Sequence, residues 1–335
     1  MPFNSIGDLA SRMMLSQSNL QAKRSIVRLS QELTTGITSD LATRLRKDFS
    51  SQESWERSIS SSQVREKTLS EALARMQAKQ TVLNSISENT STLANNISLA
   101  VTVGTTTGLD SMSQRAMDTL DEALSRLNTQ TAGQSLFAGS QKDGPAMASL
   151  SVIMGSVKAS VAGSVTIEDI TNSVQNWMDD TVGGFQAVAY QGNEGESGAI
   201  RLDKGRVVHD STRADDPAVK NTVQNLILAS LATDQGLDLS RENKIALLKH
   251  SSDGLRASDG QLINMRSAIG YVEGEITEGI VRAGAEISTA KLLRADTLQV
   301  DQYETATKLQ EAELQLEKIY MLTARSSQMS LLEYL

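Results

Sequence analysis

The chain contains no cysteine, which excludes disulfides, thiolate nucleophiles and thiolate-held metals. Proline is confined to Pro2, Pro145 and Pro217, so long stretches carry nothing that breaks a helix. Aromatic residues make up 3% of the chain, and a core must therefore come from aliphatic and small side chains. No apolar run approaches the roughly eighteen residues that a membrane-spanning helix needs. The opening MPFNSIGDLASRMM lacks a basic start followed by a continuous apolar run, so no cleavable secretion signal is expected. A net charge of −8 argues against a nucleic-acid partner.

Signs of catalysis are also missing. Histidine occurs only as His209 and His250, and no HExxH zinc motif is present. Neither GxxxxGK[ST] nor GxSxG occurs, and no GxGxxG follows a strand pattern. The glycine cluster GNEGESG at 192–198 carries two glutamates that would repel a phosphate. Its simplest reading is a hairpin turn. The pairs Asp179–Asp180 and Asp215–Asp216 fall in loop or helix-end contexts. We expect no enzyme activity, no cofactor and no metal.

What is present is helical periodicity. Between Gly36 and Gly104 there is neither glycine nor proline. Within that window Leu69, Ala72, Met76, Lys79, Leu83, Ile86, Thr90, Leu93, Ile97 and Ala100 recur at alternating steps of three and four. That is an a/d heptad stripe interrupted by Lys79 and Thr90. A helix over about 52–103 would be roughly 75–80 Å long at 1.5 Å per residue and would need neighbours to cover its stripe.

Those neighbours are in the sequence. Residues 4–34 carry Ile6, Leu9, Met13, Leu20 and Val27 on one line, with Ile26, Leu29 and Leu33 beside it. GTTTGLD at 104–110 is a turn signal, with Asp110 or Thr107 as a cap for a return helix over 111–132. Residues 285–328 again lack glycine and proline. There Ala295, Leu298, Gln302, Thr305, Leu309, Ala312, Leu316 and Ile319 form a second seam. A further apolar line through Val300, Tyr303, Ala306, Leu314 and Met321 suggests contact on more than one side. The chain closes on Leu331, Leu332, Tyr334 and Leu335. Met13, Met14 and Met329 near the ends suit an adaptable contact between molecules.

The middle differs. From Gly133 to Gly205 glycine recurs at short intervals, and period-two alternation marks 184–190 and 198–208 as strands. Short amphipathic helices are expected over 216–234 and 238–250, and GYVEGEITEG at 270–279 is a weak spot. The fold class is therefore mainly α, with long terminal helices in a coiled-coil-like bundle and a β-containing insert. Four segments are expected: an N-terminal assembly helix at 1–35, helical rods at 36–135 packed with 285–335, a β-rich or mixed outer domain at 136–280, and a C-terminal assembly helix at 281–335.

Several segments resemble the flagellin family. LSQELTTGITSD at 29–40 is similar to the Thr-Gly turn after that family's first helix. SLFAGSQKDGPAM at 135–147 and VAYQGNEGESGAIRLDKGRVV at 188–208 are similar to its Phe-Ala-Gly and Gln-Gly segments. QYETATKLQEAELQLEKIYMLTARSSQMSLLEYL at 302–335 resembles its C-terminal helix, and the final SLLEYL is most like the hook-associated branch that joins hook to filament. The stretch after the Thr-Gly turn, ITSDLATRLRKDFSSQESW, departs from the family in having no proline and no Asp pair.

The resemblance implies a structural subunit of the bacterial flagellum, secreted through the flagellar channel without signal cleavage and serving motility outside the cell. The implied partners are other copies of itself, the hook-side junction protein, flagellin, an export chaperone and the secretion apparatus. Assembly contacts would involve Leu9, Met13, Leu20, Val27, Leu298, Leu309, Leu316, Ile319, Leu331, Leu332, Tyr334 and Leu335. Two other readings stay open on the residues alone: a bulk filament subunit, and a coiled-coil signalling or adaptor module.

Overall fold

In the computed structural model the described residues are 5–39, 50–141, 143–195, 198–203 and 205–332. Among them are eight α-helices: α1 (Ser5–Thr35), α2 (Ser50–Val103), α3 (Thr106–Leu127), α4 (Leu150–Val161), α5 (Ile167–Asp179), α6 (Pro217–Ser230), α7 (Arg241–Leu298) and α8 (Gln302–Leu332). Besides a π-helical turn (Phe185–Ala189) and a 3-10 turn (Leu231–Thr233) there are two antiparallel ribbons. Strands β1 (Gln130–Thr131) and β2 (Gln134–Ser135) form one, and β3 (Ala199–Arg201) and β4 (Val207–His209) the other. The fold is mainly α with a small β component.

The chain divides into two compact units, Met1–Gln63 with Gly284–Leu335, and Val64–Ala283. In the second unit α2 and α7 lie side by side. The Gln80 side-chain amide donates to the Arg266 carbonyl at 2.6 Å, Ser87 donates to the Asp259 carboxylate, and Ser98 meets Ser252 at 2.9 Å. Residue numbers rise along α2 as they fall along α7, so the two are antiparallel. The α2 stripe belongs to the core of the unit: Leu69, Met76, Lys79, Leu83, Ile86, Thr90, Leu93 and Ile97 are all buried. Thr90 fits there because its hydroxyl donates back to the Ile86 and Ser87 carbonyls. Lys79 fits because Asp210 meets it.

Helix α3 begins three residues after α2 ends, capped by Thr105, whose hydroxyl accepts from the Gly108 amide. The cap lies upstream of the expected Asp110 or Thr107, and the helix stops at Leu127 because Asn128 turns to other work. The Asn128 side chain donates to the Met147 carbonyl and accepts from the Met147 amide, at 2.9 and 2.7 Å.

The middle segment is more helical than its glycine content suggested. Residues 150–161 and 167–179 form α4 and α5. Helix α5 opens with a capping box in which Thr166 and Asp169 bond each other's backbone amides. Trp177 on α5 donates to the Ser156 hydroxyl on α4 at 2.9 Å. The expected strand at 184–190 is instead a single π-helical turn, Phe185–Ala189, with Phe185 buried edge-on against Trp177. Alternation alone misled there, because the buried positions Phe185 and Ala189 are four apart. The 198–208 hairpin does form, paired Ala199–His209 through Arg201–Val207.

Helix α7 also corrects an expectation. It runs unbroken from Arg241 to Leu298 through GYVEGEITEG. One of those glycines has a packing reason. A Cβ on Gly279 would stand 3.0 Å from Leu69 and 3.5 Å from Leu202. The missing side chain makes room for the buried Leu202 of the hairpin. The C-terminal rod, by contrast, is not continuous: residues 299–301 separate α7 from α8.

Candidate assembly surface

Among the described residues no group of three or more His, Cys, Asp or Glu could hold a metal. No described helix is long and apolar enough to cross a membrane. The residues singled out from the sequence lie in the unit of the two ends.

In that unit the segment after α1 and the α7–α8 connection are stitched together. Gly36 adopts a positive φ of 72°, the left-handed conformation that ends helices and suits glycine. The Thr38 amide then donates to the Leu298 carbonyl at 2.9 Å, and the Val300 amide to the Gly36 carbonyl at 3.0 Å. Ile37 and Gln299 are the bridged pair. Glu32 is buried here, and its carboxylate accepts from the Ser39 amide at 2.7 Å. Asp301 starts α8 by accepting from the Tyr303 and Glu304 amides.

From this junction α1 and α8 pack on each other. On α1 the covered line is Leu15, Asn19, Ala22, Ile26, Leu29 and Leu33, with Ala22 and Leu29 buried. On α8 it is Thr305, Leu309, Ala312, Leu316 and Ile319, with Thr305, Ala312 and Ile319 buried. Both lines step by four and three, so the contact is a heptad seam closed within one chain. Small residues at its centre, Ala22 and Ala312, allow a close approach.

The twelve expected interface residues therefore separate. Leu309, Leu316 and Ile319 face α1 of their own chain, and Leu298 is buried at the junction. Met13, Leu20 and Val27 point outward, exposed by 73%, 55% and 68%. Leu9, Leu331 and Leu332 belong to α1 and α8, with side chains outside the described set. Tyr334 and Leu335 lie outside the described residues, as does most of the 37–55 stretch that departs from the family pattern.

Ile26, Leu29 and Leu33, expected beside the α1 line, lie on the packed line itself, together with Asn19 and Ala22. On α8 the second apolar line has the reverse fate: Tyr303, Leu314 and Met321 are exposed.

The two outward faces differ in charge. Around Val27, the side chains of Lys23, Arg24, Arg28, Gln31 and Ser39 outline a shallow groove of about 360 Å³. Helix α8 exposes Glu304, Glu311, Glu313 and Glu317. The Glu304 carboxylate, 2.7 Å from Lys308, holds that ammonium's pKa above its usual value. Such an arrangement can bury apolar surface and match charge against another helix.

No protein-family model and no curated protein matches the chain. Among the solved structures similar to it is that of a provisionally assigned flagellar hook-associated protein from Vibrio parahaemolyticus. The two are 14% identical, with a TM-score of 0.52 over 72% of this chain and 94% of that one. At that identity the likeness establishes a shared fold over the matched part of the chain.

Proposed function

We propose that the chain is a structural subunit of the bacterial flagellum, a hook-associated junction protein that links the hook-side junction layer to the flagellin filament. One observation carries the reading. The two terminal helices close a heptad seam on each other and still hold large apolar side chains outward. A finished monomer has no use for Met13, Leu20, Val27, Tyr303, Leu314 and Met321 in water. Each would stabilise a subunit contact by roughly 1.5–3 kcal/mol if fully covered. The fold likeness supports a structural role.

In this reading the subunit is exported without signal cleavage, with a chaperone and the secretion apparatus as transient partners. It then assembles with copies of itself, the hook-side junction protein and flagellin. The α1–α8 hairpin is the unit that inserts between neighbours. Its inner seam, including Leu309, Leu316 and Ile319, keeps the hairpin intact, while the outer lines and the C-terminal Leu331, Leu332, Tyr334 and Leu335 make the contacts.

The test is electron microscopy of isolated hooks carrying a label on this protein, in cells with the full chain or with 326–335 deleted. A label confined to the hook–filament boundary, lost on deletion together with the filament, is the expected result. Label along the whole filament would identify a bulk filament subunit instead. Normal filaments on the truncated chain would defeat the proposed role of the C-terminal residues.

A further inference from the structure

Lys79 is the one fully buried lysine among the described residues, and it occupies a seam position of α2 between Met76 and Leu83. Its ammonium donates to the Asp210 carboxylate at 2.6 Å and to the Thr212 carbonyl at 3.0 Å. It also stands 5.6 Å from the centre of the Phe137 ring. Asp210 is equally enclosed, with 3% of its side chain exposed, and its second oxygen accepts from the Thr212 amide. The pair is thus fully engaged, yet burial still lowers the Lys79 pKa against the raising effect of Asp210. A buried ion pair is often no more stabilising than apolar residues of the same size. Stability alone does not explain why a helix so regular in its apolar stripe has a charge in the middle of it.

The separation of the partners does. Asp210 lies 131 positions beyond Lys79, past α3, α4 and α5, on the segment that leaves strand β4. That segment is held in place by the Ala214 amide, which donates to the Phe137 carbonyl at 2.9 Å, and by the hairpin's contacts with α7 through Leu202, Arg206 and Asp203. Until those elements are in place, α2 presents an uncompensated charge in its seam. A polar or charged residue at one core position of a coiled coil is a known means of choosing partners at a cost in stability.

We propose that Lys79 is a pairing guard: it prevents α2 of one copy from zipping onto α2 of another before the chain's own Asp210 arrives to neutralise it. The occupant it excludes is a second copy of the same helix, whose stripe would otherwise be self-complementary. The guard acts only during folding, because in the folded chain the Lys79 ammonium is enclosed by Asp210, Thr212 and Phe137.

Lys79→Met and Asp210→Ala both break the ion pair, but only the first removes the charge from the seam. The chain lacks cysteine, so Lys67→Cys at an exposed position of α2 gives one site for a donor or an acceptor dye. Donor- and acceptor-labelled chains are mixed in urea and refolded together by dilution at a series of concentrations. Energy transfer between copies should rise several-fold over the parent in Lys79→Met, and increase with concentration. In Asp210→Ala it should stay at the parent's level, although that variant is also destabilised. Equal transfer in the two variants would show an ordinary folding defect and overturn the proposal. So would a Lys79→Met signal no higher than the parent's. Lys79→Met/Asp210→Leu, which restores an apolar seam without an orphaned carboxylate, should refold to the parent's helix content and keep the raised transfer. Loss of the transfer in that double variant would equally sink the idea.

Discussion

Lys23 on α1 holds its ammonium 5.8 Å from the centre of the Tyr320 ring on α8. Ile37 and Gln299 are bridged at the other end of the same contact. Numbers fall along α1 as they rise along α8, so the terminal helices are antiparallel partners. An exposed cation–ring contact is worth only about 0.5–1 kcal/mol. It marks which turns face each other, Lys23 lying level with Tyr320.

That arrangement separates two kinds of apolar residue on α1. Leu29→Ala removes a buried seam residue and should lower stability by about 2–3 kcal/mol, the lower part of the range for core leucines. Val27→Ala, two positions away and exposed, should stay within about 0.5 kcal/mol in the isolated chain. Assembly should rank them differently, with Val27→Ala impaired at wild-type stability. Urea unfolding followed by circular dichroism checks the first pair of values. Equal losses would mean that α1 is not packed in the register described.

Glycines within α7 should give opposite signs. A Cβ on Gly274 meets nothing within 4 Å, so Gly274→Ala should stabilise by about 0.5–1 kcal/mol through helix propensity and a less flexible unfolded chain. Gly279→Val forces branched atoms into the Leu69–Leu202 contact and should destabilise by about 1–3 kcal/mol. Thermal melts of the two variants decide it, and a stabilised Gly279→Val would show that the hairpin is not seated on α7.

The capping box of α5 carries a pH signature. Hydrogen bonds to the Thr166 hydroxyl and backbone hold the Asp169 pKa below the usual carboxylate range. A depressed folded pKa contributes stability above the unfolded value, and that contribution is lost as pH falls through the folded one. Acid unfolding of Asp169→Asn should therefore lack one component present in the parent below about pH 4. Superimposable pH profiles would remove Asp169 from the cap.

Much of this fold could be read from spacing. The α2 stripe was legible because ten positions in a glycine-free window kept strict three–four steps, and Lys79 and Thr90 showed as interruptions. What they do was not legible, since Asp210 is distant in sequence and Thr90 is satisfied by its own helix. The α4 and α5 helices were obscured by Gly155 and Gly163, although Thr166–Asp169 is a capping-box spacing that could have revealed α5. On α1 size misled. Large side chains marked a line, but the line chosen for close packing within the chain contains Asn19 and Ala22, whereas the α8 seam through Thr305, Leu309, Ala312, Leu316 and Ile319 was legible from its three–four steps. The outward line is the one a monomer leaves uncovered.

The bridge at Ile37 and Gln299 has a mechanical meaning. Helices α1 and α8 depart from it side by side, so tension drawn across their far ends acts at right angles to the seam. Such a load meets one layer at a time, from the Lys23–Tyr320 level toward the Ile37–Gln299 bridge. The hairpin is a zipper whose stop is the Gly36 junction, easy to open from its tip and fixed at its base.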